Sequence, residues 1–246
     1  ASLQSLEHLC YTPTRMRVRF ATERISDFCR YIDAEGDEQT ATFVDPIGRG
    51  ATSIIDYGRS DSPEWGAHRV TLEMSKTPEF SALLDAVKKR HDQRSLVEFL
   101  EDWRPFVQPY AMSEDDPDSA SDLPMGTALA RIRKIDIKKL LDTGHEDRDW
   151  SARKSTLASV EAVSGGDKPP AGFRFVCKPY PECAERTIDV RLSIRTGGEE
   201  PVLMMRIVGE TSLHYEIAEE IELDITSRLE GKRVFLGEAH IRQPSA

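Results

Sequence analysis

Cysteine is scarce. Only Cys10, Cys29, Cys177 and Cys183 occur in 246 residues, too few for a scaffold built on disulfides. Cys177 and Cys183 stand six apart with no second Cys or His pair beside them, so the zinc-site spacing is missing too. The thiols read as reduced, as in a cytosolic protein. Long apolar runs are absent as well. The longest, such as Val202 to Met205, are strand-sized, far short of the roughly 20 residues that cross a bilayer. Residues Ala1 to Glu7 lack the charged-then-apolar profile of a secretory signal. Positive charge is in deficit: 33 Lys and Arg face 43 Asp and Glu, for a net charge of -10. That excludes a uniformly basic coat for duplex DNA and leaves room only for a local basic groove.

The usual catalytic signatures are missing too. No Gly-x-Ser-x-Gly, His-Glu-x-x-His, phosphate-binding loop or dinucleotide glycine pattern occurs. Gly165-Gly166-Asp167-Lys168 lacks both the spacing and the hydroxyl residue after the lysine. Cys10 lies near His8, but in no context of a cysteine protease.

What is present is a chain 39% hydrophobic and 31% charged, with mean hydropathy -0.48. It is long enough to bury a real core. Residues 14–20 alternate, with Met16, Val18 and Phe20 opposite Arg15, Arg17 and Arg19, as in a half-buried strand with a basic outer face. Ile25, Phe28, Cys29 and Ile32 recur at helical spacing. Thr40 to Val44, Ala51 to Tyr57 and Ala67 to Met74 read as an antiparallel meander, the first two joined by a Pro/Gly turn. Thr77 is placed to cap a helix that has Pro78 at its first position. Ser95, with Glu98 three residues on, predicts a capping box for a second helix over 95–106.

An acidic, apolar-poor run at 113–124 marks the best internal boundary. The expected organisation is residues 1–112 as an α+β half with the meander and two helices, 113–124 as linker or loop, and 125–246 as a β-rich half with one acidic helix. Leu129 to Leu141 and Ser155 to Val163 fit helix and strand equally. Phe173 to Cys177, Arg186 to Arg195, Val202 to Val208 and Arg233 to Ile241 read as strands. Tyr215 to Leu229 reads as a helix ended by Gly231. The fold class is therefore α+β: antiparallel sheets with helices packed on them, in two halves that both run strands and then a helix.

Three groups of residues carry chemistry. Asp56 and Glu73 can meet across neighbouring strands and hold a divalent cation for phosphodiester hydrolysis, with Lys76 beside them. The Glu-x-x-Lys spacing, however, sets the lysine on the opposite strand face, and solvated strand faces account for these acids more simply. The basic segments Arg15/Arg17/Arg19, Lys88/Lys89/Arg90 and Arg131/Arg133/Lys134 make a groove for single-stranded nucleic acid if they converge; as ordinary surface they pair with the abundant acids. Trp65 and His68, in the block Trp65-Gly66-Ala67-His68, and Glu219 and Glu220, on the acidic helix, are candidate contacts for a protein partner. The plainer reading of Trp65 is a buried anchor. No cofactor and no metal are called for.

The runs Ser5 to Leu9, Phe43-Val44-Asp45, Trp65 to His68, Thr77-Pro78, Leu96 to Trp103, Gly172 to Phe175 with Pro179-Tyr180, and Arg191-Leu192-Ser193 together give a pattern. It resembles the YfdQ-like family of uncharacterised phage and prophage proteins. The resemblance implies a phage-borne gene expressed in the bacterial cytoplasm, near DNA metabolism and counter-defence. It supplies no catalytic residues. The expected function is a non-enzymatic accessory role, binding a host or phage macromolecule in DNA metabolism or counter-defence, with a host or phage protein as the favoured partner. Single-stranded nucleic-acid binding comes second and metal-dependent nuclease activity third. Self-association is left open, and no membrane partner is expected.

Overall fold

A computed structural model of the chain describes residues 18–47, 50–59, 66–112, 120–135, 148–149, 169–195 and 202–238. The fold is α+β, with two mostly antiparallel sheets. The chain forms two compact units, residues 1–74 with 214–246, and residues 75–213.

In the first unit, β1 (Arg19–Thr22), β2 (Ala41–Val44), β3 (Gly50–Ile54), β4 (Arg69–Glu73) and β11 (Arg233–Leu236) form one sheet in the order β1-β4-β3-β2-β11. β2, β3 and β4 are the expected meander. The edges differ from a meander: β1 joins β4 in parallel and β11 joins β2 in parallel. Period-two alternation then separates the faces. Thr42, Val44, Ser53, Val70 and Leu72 are essentially buried on one. Helix α1 (Ile25–Glu35) packs against β1 and β4, burying Ile25, Phe28, Cys29 and Ile32 as the spacing predicts. Tyr31 of α1 stacks on Phe20 at 4.7 Å between ring centroids.

The second unit holds β5 (Val107–Met112), β6 (Ala120–Asp122), β8 (Gly172–Cys177), β9 (Arg186–Arg195) and β10 (Val202–Ile207), in the order β10-β9-β8-β5-β6. The two-residue β7 (Arg148–Asp149) pairs with β9. Strands read from the pattern at 173–177, 186–195 and 202–208 all form, and β9 and β10 are an antiparallel pair. One face carries Phe173, Phe175, Ile188, Val190, Leu192, Leu203 and Met205, all buried. The other carries polar groups: Arg174 meets Asp122 at 2.7 Å, and the Tyr110 hydroxyl donates to Asp189 at 2.7 Å. Burial, the bond to Asp189 and that carboxylate's charge all raise the Tyr110 pKa, against the opposing pull of Arg191.

Helices α2 (Pro78–Val87), α3 (Gln93–Asp102) and α4 (Met125–Arg133) belong to this unit. Thr77 caps α2 with Pro78 at its start, as expected. The Thr77 hydroxyl also donates to the Lys178 carbonyl at 2.5 Å. The cap of α3 differs from the expectation. Asp92, not Ser95, is the N-cap; Ser95 occupies the third helical position and closes the box from inside. The carboxylate reaches the Ser95 N–H at 2.7 Å, and this charged acceptor is the stronger partner. The helix stops at Asp102, and Arg104–Phe106 form a single 3-10 turn because Pro105 cannot continue it.

β6, which lies within the acidic run, pairs with β5, and both strands belong to the unit of residues 75–213. Helix α5 (Glu210–Arg228) begins five residues before the expected Tyr215. From His214 onward it belongs with the N-terminal unit, as does β11. Its stripe Ile217, Ile221, Ile225 and Leu229 is buried.

Candidate binding surfaces

The first surface lies on the face of the N-terminal sheet opposite Thr42, Val44 and Val70, where Phe43, Thr52 and Thr71 are half-buried. The register places Phe235, Phe43, Thr52, Thr71 and Ala21 in one row across all five strands. Phe43 and Phe235 stack with centroids 5.6 Å apart at 27°. Tyr57 tilts onto Phe43, also at 5.6 Å, and the Arg233 guanidinium lies 5.4 Å from the Tyr57 ring centroid. Arg233 itself donates to the carbonyls of Gln39 and Gly58. Phe235 is 47% exposed and Tyr57 37%. Beside the aromatics runs a trough of about 380 Å³. Its floor is Phe43, Thr52 and Thr71; Arg69 stands in its wall, with Asp45, Glu73 and Glu238 also lining it.

The second surface is a basic corner of the other unit. Lys88, Lys89 and Arg90 are exposed directly after α2, and Arg133 and Lys134 are exposed at the end of α4. The Gln93 side-chain amide donates to the carbonyls of Ile132 at 3.0 Å and Ile135 at 2.5 Å. This fastens the start of α3 to the end of α4 and brings two of the three predicted basic segments into one neighbourhood. A hollow of about 340 Å³ lies beside it, lined by Gln93, Arg94, Val97, Glu98, Glu101 and Arg133.

The remaining predicted residues fall elsewhere. Asp56 and Glu73 are not brought together. Asp56 is 8% exposed, and its carboxylate accepts the backbone N–H groups of Ala67 at 3.0 Å and His68 at 2.9 Å. His68 and Glu73 lie five residues apart along the strand, about 16 Å at an extended rise, beyond the reach of one ion. Among the described residues no group of three His, Cys, Asp or Glu could hold a metal. Lys76 is exposed between β4 and α2. His68 is buried rather than presented, its Nε2 3.0 Å from the Tyr31 hydroxyl. Arg19 is exposed on β1 and Arg131 half-buried on α4. On α5, Glu219 is exposed and Glu220 partly so. Arg15, Arg17 and Trp65 lie outside the described residues.

Sequence reasoning missed the Phe43–Phe235–Tyr57 cluster. Each aromatic sits singly in a short strand or turn, and nothing local says that β11 returns beside β2. Gln93 was missed because an amide gives no pattern.

The fold and surfaces define an α+β protein with two mostly antiparallel sheets and a half-open aromatic cluster on one of them. A family model described as an uncharacterized conserved protein, DUF2303, matches residues 1–239, and the chain belongs to that family. No curated protein and no solved structure matches it.

Proposed function

We propose that the protein is a non-enzymatic accessory protein, borne by a phage or prophage and acting in the bacterial cytoplasm, that holds a host or phage protein. The open face of the N-terminal sheet is its contact surface. The observation that carries this reading is the Phe43–Phe235 stack, held by strand register and half open to water. Contiguous exposed apolar surface of this kind marks interaction sites, and aromatic anchors dominate binding energy. β11 adds a route for pairing: among the described residues no strand lies on its outer side, and an extended segment can add there by main-chain hydrogen bonds. Asp45, Glu73 and Glu238 along the trough suit a segment that carries a Lys or Arg beside its apolar residues. They would repel a phosphate backbone. Resemblance to the YfdQ-like family supports the phage setting and a role in DNA metabolism or counter-defence.

The test is affinity capture from bacterial and phage-infected lysates with the wild type and Phe235→Ser, followed by binding measured with the purified prey. A prey that binds the wild type and loses at least tenfold in affinity to the variant supports the reading. Equal binding by both, or a homodimer in light scattering that the variant dissolves, overturns it.

A further inference from the structure

We infer a second binding site, independent of the sheet face and of different chemistry: Lys88, Lys89 and Arg90, with the last turn of α4 beside them, take the phosphate backbone of a nucleic acid without reading its sequence. Basic residues after a helix commonly serve its C-terminal carbonyls. Here that work is done by other side chains. The Ala86 carbonyl of α2 accepts the His91 ring Nε2–H at 2.8 Å. At the end of α4, the carbonyls of Ile132 and Ile135 accept the Gln93 amide. The cationic side chains of residues 88–90 are left to solvent, and among the described residues they form no ion pair.

The segment is also pinned. His91 exchanges both backbone hydrogen bonds with Leu203 of β10, at 2.9 and 2.8 Å. Three consecutive cations therefore project from a braced connection, which lowers the ordering cost of binding. Arg90 precedes Gln93 by three residues, at most about 11 Å of chain. Through Gln93 the segment adjoins Arg133 and Lys134. The local acids are mostly engaged: Asp92 by the Ser95 N–H, Glu98 by Arg94 at 2.7 Å, and Glu101 by Arg133 at 2.6 Å. Asp85 is the exposed exception on α2. Exposed pairs such as Arg133–Glu101 are worth little in water, so a phosphate can displace the carboxylate. Among the described residues no exposed aromatic in this corner offers stacking, so the site grips backbone and is blind to bases.

The test is fluorescence anisotropy of the full chain with a labelled 30-mer, as single strand and as duplex, across a salt series. Three phosphate contacts predict a slope of log K on log salt of about -2 for the single strand and about -3 for the duplex. Lys88→Gln/Lys89→Gln/Arg90→Gln should make the slope shallower by that amount, leaving only the part due to Arg133 and Lys134, and cost at least tenfold at 50 mM salt. A charge-matched variant, Lys76→Gln/Arg104→Gln/Lys178→Gln, should keep both. Absence of binding at 50 mM salt in the wild type, or an equal loss in the control variant, overturns the site. Phe235→Ser should bind the oligonucleotide like the wild type, which separates this inference from the protein-binding reading.

Discussion

The Asp56 carboxylate accepts the backbone N–H of His68 at 2.9 Å and that of Ala67 at 3.0 Å. The Asp56 carbonyl takes the Gly66 N–H at 2.9 Å. One residue thus closes the base of the 57–65 connection and starts β4. Asp56→Ala leaves the Ala67 and His68 N–H groups near an apolar core without an acceptor and should cost about 3 kcal/mol. Asp56→Asn keeps one acceptor oxygen and should cost about half as much. Urea unfolding at neutral pH measures both. Wild-type stability in Asp56→Ala would show that the clamp contributes nothing.

Gly50 opens β3 at φ +152°, and a Cβ there would sit 1.9 Å from the Leu72 carbonyl oxygen. Gly50→Ala must therefore open the β3–β4 pairing or bend the strand. The expected loss is about 2–4 kcal/mol, with faster amide exchange at Leu72 and Glu73. Gly126→Ala, which meets nothing within 4 Å inside α4, should instead be neutral or mildly stabilising. Equal thermal midpoints for the two variants would contradict the geometry.

Asp92 holds the N-terminus of α3. Its carboxyl pKa is lowered from the ordinary 3.8, first by the hydrogen bond from the Ser95 backbone N–H and then by the Ser95 hydroxyl. A depressed folded-state pKa means stability present above the unfolded value and lost as pH falls through the folded one. The contribution of the cap should therefore persist at pH 5 and fade from about pH 4 downward. Asp92→Ala should cost about 1 kcal/mol at pH 7 and nothing at the acid end, where the wild type has also lost it. Denaturation of both proteins from pH 7 down to about pH 2 checks that the difference between them shrinks as pH falls.

Cys177 is 2% exposed. Burial, with smaller contributions from the charges of Glu79 and Glu185, pushes its thiol up from 9.0 to about 12. A raised folded-state pKa gives stability that is complete below the unfolded value and declines as pH rises toward the folded one. The protein should lose stability between about pH 9 and pH 12, and Cys177→Ala should flatten that stretch. In the native state at pH 8 the thiol should resist iodoacetamide and react after denaturation. Rapid native alkylation at Cys177 would sink this assignment.

Much of the fold was legible in local pattern. Phe173 to Cys177 and Arg186 to Arg195 read as strands and both form; in the fold they bury Phe173, Phe175, Ile188 and Val190. Helical spacing placed α1, and the Thr77-Pro78 pair placed the start of α2. Both follow from residue geometry within a few positions, so a single stretch of chain carries them. The α3 cap was misplaced by three residues because Asp92 and Ser95 are both good caps, and the choice rests on which oxygen reaches which N–H.

Sequence alone determined the class of this protein: strands and helices of an α+β chain with too few cysteines for disulfide support and no catalytic signature. Tertiary structure alone decided the surfaces. Phe43 and Phe235 become neighbours because β11 returns in parallel beside β2 across some 190 residues. Lys88 to Arg90 come beside Arg133 and Lys134 because one amide at Gln93 reaches the carbonyls that end another helix. Period and propensity act over a few residues, whereas strand order and helix docking are set by how the buried faces pack, which no local window contains.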